Sequence, residues 1–147
     1  MTYPYTNAQI RSILNGLGYR NRGSNEPNFP LSSDNSPLTD AKTVQAIKDF
    51  QSYFGLVLDG VVGSNTKAKV EKQMYIIQYE LDLVMKPNPP LRPQNTPLYG
   101  LQTAQAVKDF RRRYGFEPDR NTNNDRVADI PVRRHLDDLT LGRLAAV

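Results

Sequence analysis

The chain has 147 residues, enough for one ordinary domain or for two small units that share a core, because units below about 70 residues rarely bury enough apolar surface alone. Hydrophobic residues make up 38% of the sequence and charged residues 23%, which excludes a disordered tail. The formal net charge of +4 is evenly spread, with eight basic and six acidic residues in positions 1–73 and eleven and nine in positions 74–147, so neither half is a basic arm.

The first predicted element is a helix close to the N-terminus. Thr6 or Asn7 can cap it, and Gly18 is a typical residue for the end of a helix. The sequence MTYPYTNAQIRSILNG has no cationic start followed by an apolar run of about 7–15 residues, so it does not resemble a signal peptide. We therefore expect a cytoplasmic protein, with the cell envelope as its location only after export by a non-Sec route. The apolar face of this helix consists of Ile10, Ile13, Leu14 and Leu17.

The second predicted helix belongs to a phrase that the chain contains twice. LTDAKTVQAIKDFQSYFGLVLD, residues 38–59, aligns without a gap with LYGLQTAQAVKDFRRRYGFEPD, residues 98–119. Thr39 or Asp40 can cap the first copy, and Gly55 and Gly115 lie where a left-handed residue ends a helix. Each copy is an amphipathic helix. The apolar positions are Val44, Ile47, Phe50 and Phe54 in the first copy and Ala104, Val107, Phe110 and Tyr114 in the second.

A long helix is predicted between the two copies. Residues 64–85 contain no glycine or proline and keep apolar residues at helical spacing, and Ser64 or Asn65 can cap the helix. A proline-rich segment then excludes helix up to the second phrase, and a last helix is predicted to start at Pro131. No stretch approaches the ~20 apolar residues of a membrane span.

These elements predict an all-α fold. The period of the repeat is longer than that of most solenoids, and the phrase occurs in two copies, whereas a solenoid needs three or more repeats. Two pseudo-symmetric three-helix units are therefore favoured. We expect unit 1 in residues 1–73 and a divergent unit 2 in residues 74–147, joined by the long helix that serves as the last helix of one and the first of the other.

The first copy resembles a known family. The string T-x-x-A-I-x-x-F-Q-x-x-x-G-L-x-x-D-G-V-V-G-x-x-T, residues 43–66, is similar to the three-helix peptidoglycan-binding domain commonly appended to bacterial wall hydrolases. The resemblance implies a shallow groove that binds wall glycan or peptide through polar and aromatic side chains, for which Tyr19, Tyr53 and Asp59 are the candidates. The matching positions are Thr43, Ala46, Ile47, Phe50, Gln51, Gly55, Leu56, Asp59, Gly60, Val61, Gly63 and Thr66.

The second copy departs from the pattern after its helix. Arg111 replaces Gln51, Arg120 replaces Gly60, and the turn is longer. The fold inference survives these changes, but they remove the basis for assuming the same ligand groove. The second copy keeps Thr103, Ala106, Val107, Phe110, Gly115 and Asp119.

Arg111, Arg112 and Arg113 are the clearest difference between the copies, since the equivalent residues in the first copy are uncharged. We expect them to span the exposed side of their helix, either as a solvated face or as the contact with a macromolecular partner. Binding to nucleic acid would use these arginines with Arg133 and Arg134 as phosphate contacts. No nucleic-acid motif accompanies them, so this partner is disfavoured.

The turn of the second copy has the alternating oxygen ligands of a calcium loop. Asn124 stands where the sharp-turn glycine belongs, and Ile130 where the bidentate glutamate belongs. The alternative is a turn whose side chains cap its own backbone, and we favour it. The candidate calcium ligands are Asp119, Asn121, Asn123, Asp125 and Asp129.

The chain lacks the residues for hydrolytic chemistry. There is no cysteine, and His135 is the only histidine, which excludes thiol catalysis and leaves too few ligands for a zinc hydrolase. A serine triad would also need His135, which lies in a charged helix, and no nucleophile-elbow motif is present. We expect no enzyme activity and no cofactor.

Two functions remain. The resemblance implies a non-catalytic module whose partner is peptidoglycan. The alternative is an intracellular interaction or scaffold protein that binds a protein partner and has kept the fold without the wall ligand. The absence of a signal peptide and of a hydrolase partner favours the alternative.

Overall fold

A computed structural model of the chain describes residues 2–20, 28–92, 96–116 and 124–142. Within these ranges all regular structure is helical, which confirms the all-α class. The chain order is α1 (Asn7–Gly16), α2 (Ala41–Tyr53), α3 (Ser64–Met85), α4 (Leu101–Arg113), a 3-10 turn (Asn124–Arg126) and α5 (Ile130–Thr140). None of the helices described is long and apolar enough to cross a membrane.

The helix N-termini agree with the predicted caps in two of three cases. Thr6 and Gln9 form a capping box at α1, and the Asp40 side chain accepts a hydrogen bond from the Thr43 amide at α2. The prediction for α3 was wrong. Gly63 is the N-cap residue of that helix and has no side chain to cap it, so Ser64 already lies in the first turn.

Helices α2 and α4 end at the glycines that marked their C-termini in the sequence. Gly55 follows α2 with φ +70° and Gly115 follows α4 with φ +76°, a backbone conformation that favours glycine. In both copies an amide beyond the glycine closes the turn: the Leu56 amide donates to the Gln51 carbonyl at 2.8 Å, and the Phe116 amide to the Arg111 carbonyl at 2.9 Å.

A single hydrophobic core runs through all five helices. Phe50 and Phe110 are fully buried at its centre, which confirms the inward face predicted for both copies of the phrase. Val70, Met74, Ile77 and Leu81 form the buried side of α3. Since the core is continuous, each half covers apolar surface of the other.

The two halves are in close contact at the end of α1. Gly16 lies against the ring of Tyr99, so close that a Cβ atom on Gly16 would be 2.5 Å from three ring carbons. The Gly16 carbonyl accepts a hydrogen bond from the Ala128 amide at 2.7 Å, and the Leu17 carbonyl accepts one from the Arg133 guanidinium. These contacts hold α5 and the segment before it against the end of α1.

Candidate functional site

The turn that follows α2 is organised by one buried side chain, Gln51. Its Nε2 lies 3.0 Å from the Asp59 carboxylate, 3.0 Å from the Val61 carbonyl and 3.1 Å from the Thr66 hydroxyl. Its Oε1 accepts a hydrogen bond from the Gly60 amide at 3.1 Å. The amide of Gln51 therefore joins the end of α2, the turn and the first turn of α3.

Asp59 is exposed to solvent, and its carboxylate helps to form the same turn. The Val61 amide donates to Asp59 Oδ1 at 3.0 Å, and this bond together with the one from Gln51 lowers the pKa of the carboxyl group. Asp59 thus stays ionised over the ordinary pH range. Binding of a wall ligand by Asp59 stays a prediction.

Tyr19 and Tyr53 lie next to each other, with ring centroids 6.2 Å apart. Tyr19 follows α1 and is half-buried, whereas Tyr53 ends α2 and is 44% exposed. No hydrogen bond or ring contact between described residues joins Asp59 to either tyrosine. The structure therefore groups two of the three predicted ligand residues and leaves the third in the adjacent turn.

Arg133 of α5 completes this aromatic pair. Its guanidinium carbon lies 5.1 Å from the Tyr19 ring centre and 5.6 Å from that of Tyr53, and its Nη2 donates to the Tyr19 hydroxyl at 2.6 Å. Burial raises the pKa of Tyr19, and Arg133 opposes this rise. Arg133 is only 7% exposed, so it is not the solvated phosphate contact considered from sequence.

We call Tyr19, Tyr53 and Arg133 the tyrosine–arginine cluster. Its cation comes from the second half of the chain, so the cluster exists only when both halves are packed together. Sequence reasoning grouped Arg133 with Arg134 as a charged pair. The helical spacing could have revealed that Arg133 is buried, because it lies between Val132 and Leu136, which mark the buried face of α5.

The arginine run at the end of α4 does not form one exposed face. Arg111 is 6% exposed, and its Nη1 donates to the Val127 carbonyl at 2.9 Å and lies 3.4 Å from the Asp129 carboxylate. The expectation that all three arginines are exposed was wrong for Arg111, because it occupies the inward position that Gln51 has in the first copy. Arg112 and Arg113 are exposed, and their role in partner binding stays a prediction.

The calcium interpretation falls largely on residues outside the described ranges, namely Asp119, Asn121 and Asn123. The other two candidates face cations: Asp125 lies 3.6 Å from the Lys108 ammonium, and Asp129 pairs with Arg111. No group of three acidic or histidine side chains suited to a metal occurs within the described part of the chain. Calcium binding stays a prediction that we do not favour.

A shallow groove of about 400 Å³ lies between the solvent-facing side of α3 and the C-terminal end of α5. Tyr75, Tyr79 and Leu83 line it, together with Leu141 beyond α5 and the side chain of Arg92. The Arg92 guanidinium lies 5.4 Å from the Tyr79 ring centre. Because Tyr79, Leu83 and Leu141 are exposed, this groove is an apolar surface in contact with solvent.

Comparison with known proteins agrees with the geometry of the first half. Residues 8–70 match the family described as "Putative peptidoglycan binding domain". This match supports a peptidoglycan-binding-like domain in that segment. It includes α1, α2, the Gln51 turn and the start of α3, with Tyr19, Tyr53 and Asp59. No curated protein and no solved structure matches the chain.

Proposed function

We propose that the protein is a non-catalytic module that binds peptidoglycan. The observation that carries this proposal is the family match over residues 8–70, a segment in which the Gln51 turn is complete and both candidate tyrosines lie together. Fold alone does not give function, so the proposal depends on the surface that these residues form.

The tyrosine–arginine cluster suits a wall ligand. Tyr53 offers an exposed ring on which a sugar can stack, and the buried Arg133 guanidinium, 5.6 Å from the centre of that ring, packs against it. Among the described contacts of Arg133, the acceptors are two carbonyl oxygens and the Tyr19 hydroxyl, with no carboxylate.

We also propose that residues 74–147 form a divergent second unit and that α3 is shared by both units. Equivalent contacts recur in the two copies of the phrase and support this. Gln45 donates to Asp49 at 2.9 Å, and Gln105 donates to Asp109 at 3.0 Å. Gln51 and Arg111 hold equivalent buried positions, each of which joins its helix to the segment that follows.

We propose as well that the protein has no catalytic activity. His135 lies among aromatic rings, with its ring centre 5.1 Å from that of Tyr114 and 5.4 Å from that of Phe116. These ring contacts give His135 a packing role. We propose that the purified protein releases no soluble fragments from sacculi, which a turbidity and chromatography assay would check.

A pull-down on insoluble peptidoglycan tests the main proposal. The wild-type protein should sediment with purified sacculi, and Tyr53→Ala should weaken retention by about tenfold, the effect of losing ~1.4 kcal/mol of stacking. Tyr79→Ala is a matched control, since Tyr79 is 41% exposed on another face. Equal retention of the two variants would count against the tyrosine–arginine cluster, and no retention of the wild type would refute the function.

A second candidate function, binding of a protein partner, is favoured by the apolar groove on α3. All of its described lining residues fall outside the segment matched by the family, so the family match does not account for this groove. Leu83→Asp should then abolish recovery of a specific partner from extract, whereas Tyr53→Ala should not. If both variants recovered the same proteins as the wild type, this candidate would fail.

A further inference from the structure

The turns that precede α3 and α5 correspond to each other. The Gln51 side chain donates to the Val61 carbonyl at 3.0 Å. Arg111, at the equivalent position of the repeated phrase, donates to the Val127 carbonyl at 2.9 Å. Each valine lies two residues before the N-cap residue of the helix that follows. Val61 and Val127 therefore hold the same place, one in each half of the chain.

Within the molecule, the turn of the second half packs against the end of α1. The Ala128 amide donates to the Gly16 carbonyl at 2.7 Å, and a Cβ atom on Gly18 would contact the Val127 side chain at 3.6 Å. The ring of Tyr99, from the repeated phrase, covers Gly16. The turn and the phrase of one half thus bind the end of the first helix of the other half.

The corresponding helix end in the second half is the C-terminal part of α3. Asn15 of α1 donates to the Pro30 carbonyl at 2.9 Å, and Asp82 of α3 accepts a hydrogen bond from the Leu91 amide at 2.7 Å. These partners belong to two Pro-Leu pairs that lie 60 positions apart, like the two copies of the phrase. Asn15 and Asp82 therefore correspond, and Leu83 takes the place of the packed glycine at the end of α1.

The molecule leaves one side of each such contact exposed. The turn of the first half is apolar and exposed at three side chains, Val57, Leu58 and Val61. The groove between α3 and α5 is apolar and exposed at three others, Tyr79, Leu83 and Leu141. Since the turn precedes α3 and Leu83 lies near the end of that helix, roughly 30 Å separate them, and they cannot meet within one molecule.

The two exposed surfaces are complementary in size. Inside the molecule, a large residue of the phrase, Tyr99, covers a glycine, Gly16. At the exposed surfaces the sizes are exchanged, because Leu83 stands in place of the glycine and the small, exposed Thr39 stands in place of Tyr99. A contact between Leu83 and Thr39 would again join one large and one small residue, as close packing requires.

Charges on the two surfaces also complement each other. The turn has the exposed carboxylate of Asp59, and the groove has the exposed guanidinium of Arg92, whereas Glu80 in the groove is buried. Lys67 lies four residues after the N-cap of α3, as Arg133 lies four residues after that of α5. Because Arg133 donates to a carbonyl at the end of α1, Lys67 can supply a cation to the end of another α3, where the helix dipole favours positive charge.

We infer that the protein assembles head to tail, with the turn of the first half of one molecule in the groove at the end of α3 of the next. The contact between molecules repeats the contact that joins the two halves. Because the two surfaces differ, the interface is heterologous, and repeated addition gives an open chain or a closed ring. The inference rests on the proposal that residues 74–147 form a second unit, and it names another molecule of this chain as the protein partner of the groove.

Sedimentation velocity of the full-length protein, without sacculi, tests this assembly. The mean mass of the wild type should rise from micromolar to millimolar concentration and exceed that of a dimer. Val61→Asp and Leu83→Asp should each weaken association by about tenfold or more, since each places a charge in an apolar contact. Leu101→Asp is the matched control and should associate like the wild type, because Leu101 is exposed and belongs to neither surface.

A mixture of the two variants is the decisive measurement. Val61→Asp keeps an intact groove and Leu83→Asp keeps an intact turn, so the equimolar mixture should form a heterodimer and nothing larger, although each variant alone is monomeric. An unchanged Tm shows that the variants fold; if one does not, Val57→Asp or Tyr79→Asp replaces it on the same surface. A monomeric wild type, a monomeric mixture, or association of either variant alone would overturn the inference.

Retention on sacculi is measured separately, so the two proposals can fail independently. If the wild type sediments with sacculi but stays monomeric in solution, the head-to-tail assembly is refuted while the proposed function stands. If the wild type assembles in solution but sacculi do not retain it, the assembly is supported and wall binding is refuted.

Discussion

Arg111→Gln is the most informative substitution in the second half, because glutamine is the residue that the first half uses at the equivalent position. Gln51 reaches its partners because the turn at Asp59–Val61 lies directly beside it. Arg111 instead reaches the Val127 carbonyl and the Asp129 carboxylate across a longer connection. A glutamine side chain is too short to make the same contacts.

The expected loss follows from these two contacts. A hydrogen bond that involves a charged group contributes about 1.5–3 kcal/mol. The bond to Val127 is short and buried, whereas the Asp129 contact is 3.4 Å long and its side chain is 21% exposed, so solvent weakens the second contribution. We expect Arg111→Gln to lower the free energy of unfolding by about 2–4 kcal/mol, a large part of the 5–15 kcal/mol typical of a domain.

Urea denaturation followed by far-ultraviolet circular dichroism measures this loss. Arg112→Gln is the matched control, since Arg112 is the exposed neighbour in the same helix, and its effect should stay within about 0.5 kcal/mol. If the two variants had the same midpoint and the same slope, Arg111 would not hold the Val127 segment. The internal correspondence between Gln51 and Arg111 would then lose its main energetic support.

Three further predictions concern the core and its pH dependence. Phe110→Ala should destabilise the protein by about 3–5 kcal/mol in urea, and a loss below about 1 kcal/mol would contradict its central place in the core. Gly16→Ala should cost about 1–3 kcal/mol because its Cβ would overlap the Tyr99 ring; an unchanged Tm would show that the two halves are packed less tightly. Burial, followed by the hydrogen bond to Asp137, raises the pKa of Glu80 from 4.5 to about 8. As pH rises, the carboxyl group therefore ionises in the unfolded chain before it ionises in the folded protein. The stability that this group contributes is full below pH 4.5 and is lost as pH rises to 8. Glu80→Gln should therefore flatten Tm between pH 5 and 8, and a steeper profile would contradict the assignment.

Helix positions and ends were predictable because their signals are local. The spacing of apolar residues defined the inward faces of α2 and α4, and the glycines after them marked the C-termini. The bounds predicted for α3, residues 64–85, agree with the structure, but its capping residue was wrong, because Gly63 takes the cap position and offers no side chain that a sequence pattern could detect.

Buried polar residues were the part that sequence reasoning missed. Arg11, Arg111 and Arg133 all reach carbonyl groups that are distant in sequence, so their burial depends on the tertiary fold. A run of charged residues is usually solvated, but Arg111 is an exception, because the aliphatic part of its side chain lies on the inward face of α4. The gapless alignment carried the correct signal, since Arg111 replaces a residue of the family pattern.

The contacts at the end of α1 have a consequence for how the chain folds. Gly16, Leu17 and Tyr19 receive hydrogen bonds from Ala128 and Arg133, which follow them by more than 110 positions. Closing a loop of that length costs entropy, so the packing of the end of α1 depends on the presence of residues from the far end of the chain. The segment that matches the peptidoglycan-binding family is consequently not portable: excised or grafted alone, it would expose the face that Tyr99 covers and lose the cation beneath its two tyrosines.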